Sequence, residues 1–288
     1  MKMRGFKTVA TTAFSLTILI GLLFPLTKIG QADPPVSINS CQTITTRGHY
    51  KLVADLTSFD TCITVNASHV HLDLNGHTIT GPFNFADGPS GIRVVGVTHV
   101  DINGPGVITN FGRGVDFEGV DFSEVKDVTS TSNFFGFVVN RDSNNNPNNL
   151  SEKNWFRGNT STGNNQHGFT MNGASDNNFL NNVASNNGAL GILIVDGSAN
   201  QLKSNTTNGN GQVGINAGGA GGHTVNDNTA NGNGIVGILL PGGSTGNSVK
   251  GNTAQSNVSV DLRDDNANCD NNVWMSNIFT TANQPCIH

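Results

Sequence analysis

The amino-acid sequence predicts an all-β fold, a single parallel β-solenoid of about nine coils with disulfide-locked ends. Three observations predict it. An apolar and asparagine pattern repeats every 23 residues or so, each repeat contains short alternating segments, and the four cysteines of the mature chain fall as one pair near each end. A repeat of 20–50 residues is the mark of stacked units that bury a shared core.

The chain opens on Lys2, Arg4 and Lys7, followed by an uncharged apolar stretch from Val9 to Leu26 and the small-residue sequence Gly30-Gln31-Ala32. This is the layout of a secretory signal peptide, residues 1–32, with cleavage after Ala32. A membrane anchor is the alternative, since the stretch approaches spanning length. Pro25 interrupts it just before the small-residue site, which favours cleavage. Loss of Lys2, Arg4, Lys7 and Lys28 leaves 11 basic and 20 acidic residues, a net charge of −9. Such a chain repels polyanions overall, so nucleic acid is set aside as a partner. An acidic glycan would need a local basic patch or a bound cation.

Next come an N-terminal cap at 33–61, the solenoid at 62–264 and a C-terminal cap at 265–288. Within the solenoid, asparagine recurs at Asn159, Asn182, Asn205, Asn228 and Asn252, and again five residues later at Asn164, Asn187, Asn210, Asn233 and Asn257. A glycine followed by an apolar residue lies nine residues after each of the first four: Gly168-Phe169, Gly191-Ile192, Gly214-Ile215, Gly237-Ile238. Upstream, Gly91-Ile92, Gly114-Val115 and Gly136-Phe137 continue the mark. Cys62-Ile63 and Asp261-Leu262 close the series at nine coils. Alternation such as Ile192 in, Leu193 out, Ile194 in belongs to strands. Coils stacked about 4.8 Å apart make a rod of roughly 40 Å. The recurring asparagines are expected at tight turns, which tolerate left-handed backbone. There they form two ladders in which each amide bonds its equivalents above and below. This is a structural device rather than a binding site.

Cys41 and Cys62 bracket the N-terminal end, Cys269 and Cys286 the C-terminal end. An even cysteine count in an exported chain reads as disulfides. Pairing Cys41–Cys62 and Cys269–Cys286 locks each cap and is worth about 3 kcal/mol apiece by loop closure.

The stretch from Ile63 through His71-Leu72-Asp73-Leu74-Asn75-Gly76-His77 to Gly81, followed by asparagine- and glycine-marked coils, resembles the secreted right-handed parallel β-helix repeat proteins of the pectate-lyase-like superfamily. The resemblance spans the mature chain. It implies a right-handed coil, while the signal segment is what points to export to the periplasm, cell surface or medium, and a polysaccharide or cell-surface glycan is the expected partner. It does not select an activity, because the superfamily holds lyases, hydrolases, esterases, epimerases, tailspikes and adhesins. The Asp-Pro-His signature of alginate epimerases is absent. His71, Asp73 and His77 match the ordinary first coil and read as structural.

Chemistry is sought where the repeat is broken. The outward position two residues after each coil mark reads Thr64, Arg93, Asp116, Val138, Thr170, Leu193, Asn216, Leu239, Arg263. Two residues further along, Glu118 and Asn140 join the face on which Arg93 and Asp116 stand. The steps between coil marks lengthen from 62 to 91 and from 136 to 168, which places insertions at Gly81–Ser90 and Arg141–Asn149. Inserted loops on one side of a repeat rod are where binding tends to reside. The two loops are expected to wall a groove over Arg93, Asp116 and Glu118, with Phe83, Phe85 and Trp155 offering rings for sugar stacking and Asn140 and Arg141 offering polar contacts. Carboxylates beside an arginine suit uronic-acid chemistry. Asp116 and Glu118 could serve as acid and base with Arg93. The pattern requires no cofactor, although Asp116 with Glu118 or Asp121 supplies the oxygens that Ca²⁺ takes. The plainer reading makes Arg93 and Asp116 a surface ion pair worth under about 1 kcal/mol.

Three functions compete. A polysaccharide- or surface-associated protein without catalysis fits the long regular half. A polysaccharide lyase, hydrolase or epimerase centred on Arg93, Asp116 and Glu118 is the enzymatic alternative. A structural rod or adhesin is the third.

Overall fold

Each repeat closes into a coil because short strands alternate with turns held in the left-handed region. One coil comprises Asn178–Leu180, Val183–Ser185 and Ile192–Asp196. In the computed structural model, residues 34–82, 88–142 and 150–288 are described. Residues 1–33, which include the expected signal peptide, and Phe83 and Phe85 lie outside them. From Pro34 to His288 the chain is one compact unit.

Strands of successive coils pair in parallel. Among the described residues they form a ten-stranded sheet, a fifteen-stranded sheet and a small two-stranded one. The ten-stranded sheet carries the coil marks in one column, Ile63, Ile92, Val115, Phe137, Phe169, Ile192, Ile215, Ile238 and Leu262. These nine side chains are 0–1% exposed. The sheet has one strand more than there are marks because Gln42–Ile44 pairs with Ile63–Val65. Val36–Ile38 likewise pairs with Gly48–Leu52. The segment expected to cap the rod therefore coils within it.

The glycine of each mark answers a packing demand. A Cβ at Gly191 would stand 2.6 Å from the carbonyl oxygen of Gly214, and one at Gly214 would stand 2.6 Å from that of Gly237. Inside, Phe137 stacks on Phe169 at 4.6 Å and Phe156 on Phe179 at 4.9 Å between ring centroids. Aromatic pairs of this kind add about 1 kcal/mol beyond their buried area.

The ten ladder asparagines are buried. The Asn182 side-chain amide donates to Asn205 Oδ1 at 3.0 Å and to the Phe156 carbonyl at 2.8 Å, while its backbone N–H donates to the same Asn205 Oδ1 at 2.9 Å. The equivalent bonds recur from Asn159 to Asn252 and from Asn164 to Asn257. The left-handed residue is not the ladder asparagine but the one before it: Gly158, Asn181, Ser204, Asp227 and Gly251 in the first ladder, Gly163, Asn186, Gly209, Gly232 and Ser256 in the second. The turn delivers the next side chain inward, where it replaces backbone partners lost at the corner.

A third ladder runs through Asn154, Asn177 and Asn200 and resumes at Asn247 and Asn272. His223 fills its gap. Its Nδ1 accepts the Asn200 N–H at 3.1 Å and its Nε2 lies 2.7 Å from the Gly218 carbonyl. Burial lowers its pKa against the opposing effect of that carbonyl, which favours the neutral ring.

Both ends are tied by the disulfides Cys41–Cys62 and Cys269–Cys286. At the C-terminal end Asp261 terminates the second ladder, accepting from Asn257, Thr280 and Thr281. Burial acts to raise its pKa, but these donors outweigh it and hold the carboxylate below its usual range. Trp274 is buried and donates its indole N–H to Asp264 at 2.8 Å.

Candidate functional site

Four adjacent strands of the ten-stranded sheet carry the site: Ser90–Val95, Arg113–Glu118, Phe135–Asn140 and Phe169–Asn172. Their register sets Thr64, Arg93, Asp116, Val138 and Thr170 in one row and Val95, Glu118, Asn140 and Asn172 in the next. Parallel pairing at constant register is why a period read from sequence places these residues side by side.

The ion pairing differs from that expected. Arg93 and Asp116 are cross-strand neighbours, but Arg93 reaches diagonally to Glu118, with Nε to Oε1 at 2.9 Å and Nη2 to Oε2 at 2.6 Å. Two parallel N–H···O bonds fix a carboxylate more firmly than one. Asp116 is taken instead by Arg113, whose Nη1 lies 2.9 Å from Oδ2 and 3.8 Å from Glu118 Oε1. Ser90 Oγ donates to Asp116 Oδ2 at 3.3 Å. The side chains of Asp116 and Glu118 are 1% and 7% exposed, against 36% for Arg93 and 24% for Arg113. The face shown to solvent is therefore guanidinium, and the carboxylates lie beneath it. Burial, partly offset by Arg113 and reinforced by Glu118, pushes the Asp116 carboxyl up to about 6. Its Oδ1 is buried without a hydrogen-bond partner among the described residues.

Two adjoining cavities share Arg113 and Glu118. The smaller, about 300 Å³, is bordered by Thr61, Gly88, Ser90, Arg93 and Asp116. The larger, about 630 Å³, extends along the rod past Phe135, Val138, Asn140, Arg141, Asp142, Thr170, Asn172 and Val195. The described margins of both insertions, Gly88 and Arg141–Asp142, thus border one groove, while residues 83–87 and 143–149 lie outside the description. Arg141 pairs with Asp196 at the groove's far side.

Two further expectations are corrected. Trp155 does not face this groove. It sits on the fifteen-stranded sheet, paired with Glu124 and Asn178, because it falls on the strand that precedes the Asn159 turn. The calcium set Asp116, Glu118 and Asp121 is not gathered. Asp121 lies beyond the turn at Gly119, and its Oδ1 accepts the Glu152 N–H at 2.8 Å. No group of three or more His, Cys, Asp or Glu among the described residues is arranged to hold a metal ion. His71 is likewise on the fifteen-stranded sheet, near Asp101, and His77 immediately precedes its strand Thr78–Thr80, near Asp55.

Sequence reading missed Arg113 and Ser90. Both stand immediately before a coil glycine, where later coils carry Phe135, Leu190, Val213 and Val236. With His167 before Gly168 also in this column, polarity alone does not mark the site, but Arg113 is the one charged residue in it and was the signal.

The sequence from 61 to 254 matches the family model described as right handed beta helix region. The chain belongs to this family. No curated protein matches it in sequence. In solved structures, the β-helix resembles the periplasmic alginate epimerase AlgG, with TM-score 0.56 and 14% identity over 81% of this chain and 62% of that one. It therefore spans less than two thirds of that structure. Against a double mutant of AlgG the TM-score is 0.61 at 14% identity, with 83% and 71% covered. The A-module of the Azotobacter vinelandii mannuronan C-5 epimerase AlgE6 gives 0.51 at 16% identity, with 84% and 86% covered. At these identities the likeness is one of fold, a right-handed parallel β-helix. No helix among the described residues is long and apolar enough to cross a membrane.

Proposed function

We propose that this β-helix protein is exported and binds a uronate-bearing polysaccharide along the groove of its ten-stranded sheet, without turning it over. One observation carries the reading: Arg93 and Arg113 front the groove while the carboxylates they hold are recessed. Two-carboxylate glycosidic chemistry needs an acid and a base presented to the sugar. Here both carboxylates are engaged by guanidinium groups, and what remains for a ligand is a pair of arginines suited to carboxylate, with Asn140 and Asn172 for hydroxyls. The proposal agrees with solenoid neighbours named for alginate and mannuronan. Two formed disulfides suit an oxidising compartment.

An enzymatic role has one observation in its favour, the buried Asp116 with its raised pKa and unpartnered oxygen. Titration calorimetry with homopolymeric uronate oligosaccharides, run beside assays for unsaturated and reducing ends, separates the readings. Binding without product, weakened about tenfold by Arg93→Ala, is the expected result. Product formation abolished by Asp116→Asn would establish the enzyme instead. Neither binding nor turnover would leave a structural rod.

A further inference from the structure

The outer face of the fifteen-stranded sheet holds a second surface, independent of the groove. Strand register puts Trp155, Asn178, Gln201, Thr224 and Ser248 in one row and Arg157, Leu180, Lys203, Asn226 and Lys250 in the next. Within these limits neither row contains an acid, although the mature chain carries an excess of nine negative charges. Acids border the strip: Glu124 precedes Trp155 in the first row, and Asp176 and Asp227 occupy left-handed turn positions at its edges. Arg157 pairs with Glu124 one coil back. Lys203 and Lys250 have no ion-pair partner among the described residues. The cations thus stand on alternate coils, about 10 Å apart along the rod.

One end of the strip is shaped as a platform. Trp155 is 45% exposed. It borders a depression of about 200 Å³ with Asn178, Leu180, Gln201 and Lys203. An indole face receives the C–H face of a sugar ring, and the neighbouring amides offer both donors and acceptors to its hydroxyls. A pyranose unit in an extended chain is about as long as one coil is high. A chain lying along the axis would therefore meet one cation for every two sugars.

We infer that the strip from Trp155 to Lys250 is a glycan-binding surface for an extended anionic polysaccharide with one negative charge on alternate sugars, such as a uronate–N-acetylhexosamine repeat. A chain charged on every sugar would set half its anions opposite Leu180 and Asn226. A nucleic acid would do the same with its phosphates.

The test is calorimetric titration of the full chain with hexasaccharides of alternating charge, of uniform charge and of no charge, and with a single-stranded oligonucleotide. The alternating ligand is expected to bind best to this surface. Trp155→Ala is expected to weaken it about tenfold, with Trp155→Phe retaining most of the affinity. The Lys203→Gln, Lys250→Gln pair is expected to weaken it to a similar degree and flatten its salt dependence. All these side chains lie on the outer face, so an unchanged melting curve verifies folding. Uniform-uronate binding at the groove is expected to persist in the strip variants, so the two sites fail or succeed separately. Unchanged affinity for the alternating ligand in these variants would overturn the inference, as would equal affinity for the oligonucleotide.

Discussion

Two stretches of the same ten-stranded sheet differ in what a coil is permitted to carry. In the coils of Val213–Ala217 and Val236–Leu240 the residue before the glycine is valine, buried in a small external apolar cluster, and the outward residues are Asn216 and Leu239. In the coils of Ser90–Val95 and Arg113–Glu118 the same positions hold Ser90, Arg113, Arg93 and Asp116. The inward column and the backbone ladder are shared by both. Stability is thus supplied by the positions that repeat, and chemistry is confined to outward positions that can change without disturbing the stack. The ladders mark the same division. In the later coils the asparagine amides from Asn159 to Asn252 are each bonded to the next, whereas near the groove Val128 stands in the same column and donates its backbone N–H to Asn159 Oδ1 with no side-chain amide to continue the ladder.

The largest effect should come from breaking the repeated half. Asn205→Ala removes the acceptor of the Asn182 backbone and side-chain amides and the bond to the Phe179 carbonyl. A loss of about 3 kcal/mol is expected in urea denaturation. An unchanged midpoint would show that the ladders are decorative. Next, Arg113→Ala should cost about 3 kcal/mol at pH 8, where it strands the Asp116 carboxylate, and distinctly less at pH 5, where that group is protonated. Arg93→Ala, at a more exposed site, should cost under about 1 kcal/mol at either pH.

A smaller effect sharpens the contrast through pH. Because Asp116 titrates at about 6 when folded and at the ordinary aspartate value of 3.8 when unfolded, the native state holds the extra proton between these limits. Stability should therefore fall as pH rises from about 4 to about 6 and then level off. Asp116→Asn should remove that fall, which denaturation midpoints across the range would reveal. The smallest effect is expected for Asn216→Leu in the regular half, within about 0.5 kcal/mol, since nothing in the stack depends on its side chain.

Much of this architecture was legible in the sequence. A constant step makes register an arithmetic matter, so the outward row from Thr64 to Arg263 could be read directly. The extra N-terminal coil was hidden because no glycine precedes Gln42. The pairing of Arg93 with Glu118 was hidden because a long guanidinium stem spans a diagonal that spacing does not distinguish from the direct neighbour. Trp155 was misplaced because proximity to an insertion in sequence says nothing about which corner of the coil intervenes. The third ladder was obscured by His223, which performs the work of asparagine with a different side chain.

Hydrogen exchange read by mass spectrometry, with and without a saturating homopolymeric uronate oligosaccharide, tests the division between scaffold and site most directly. Slowed exchange in Ser90–Val95, Arg113–Glu118 and Phe135–Asn140, with none in Val213–Ala217 or Val236–Leu240, is the expected pattern. Protection centred on the later coils of this sheet, or none anywhere, would contradict it.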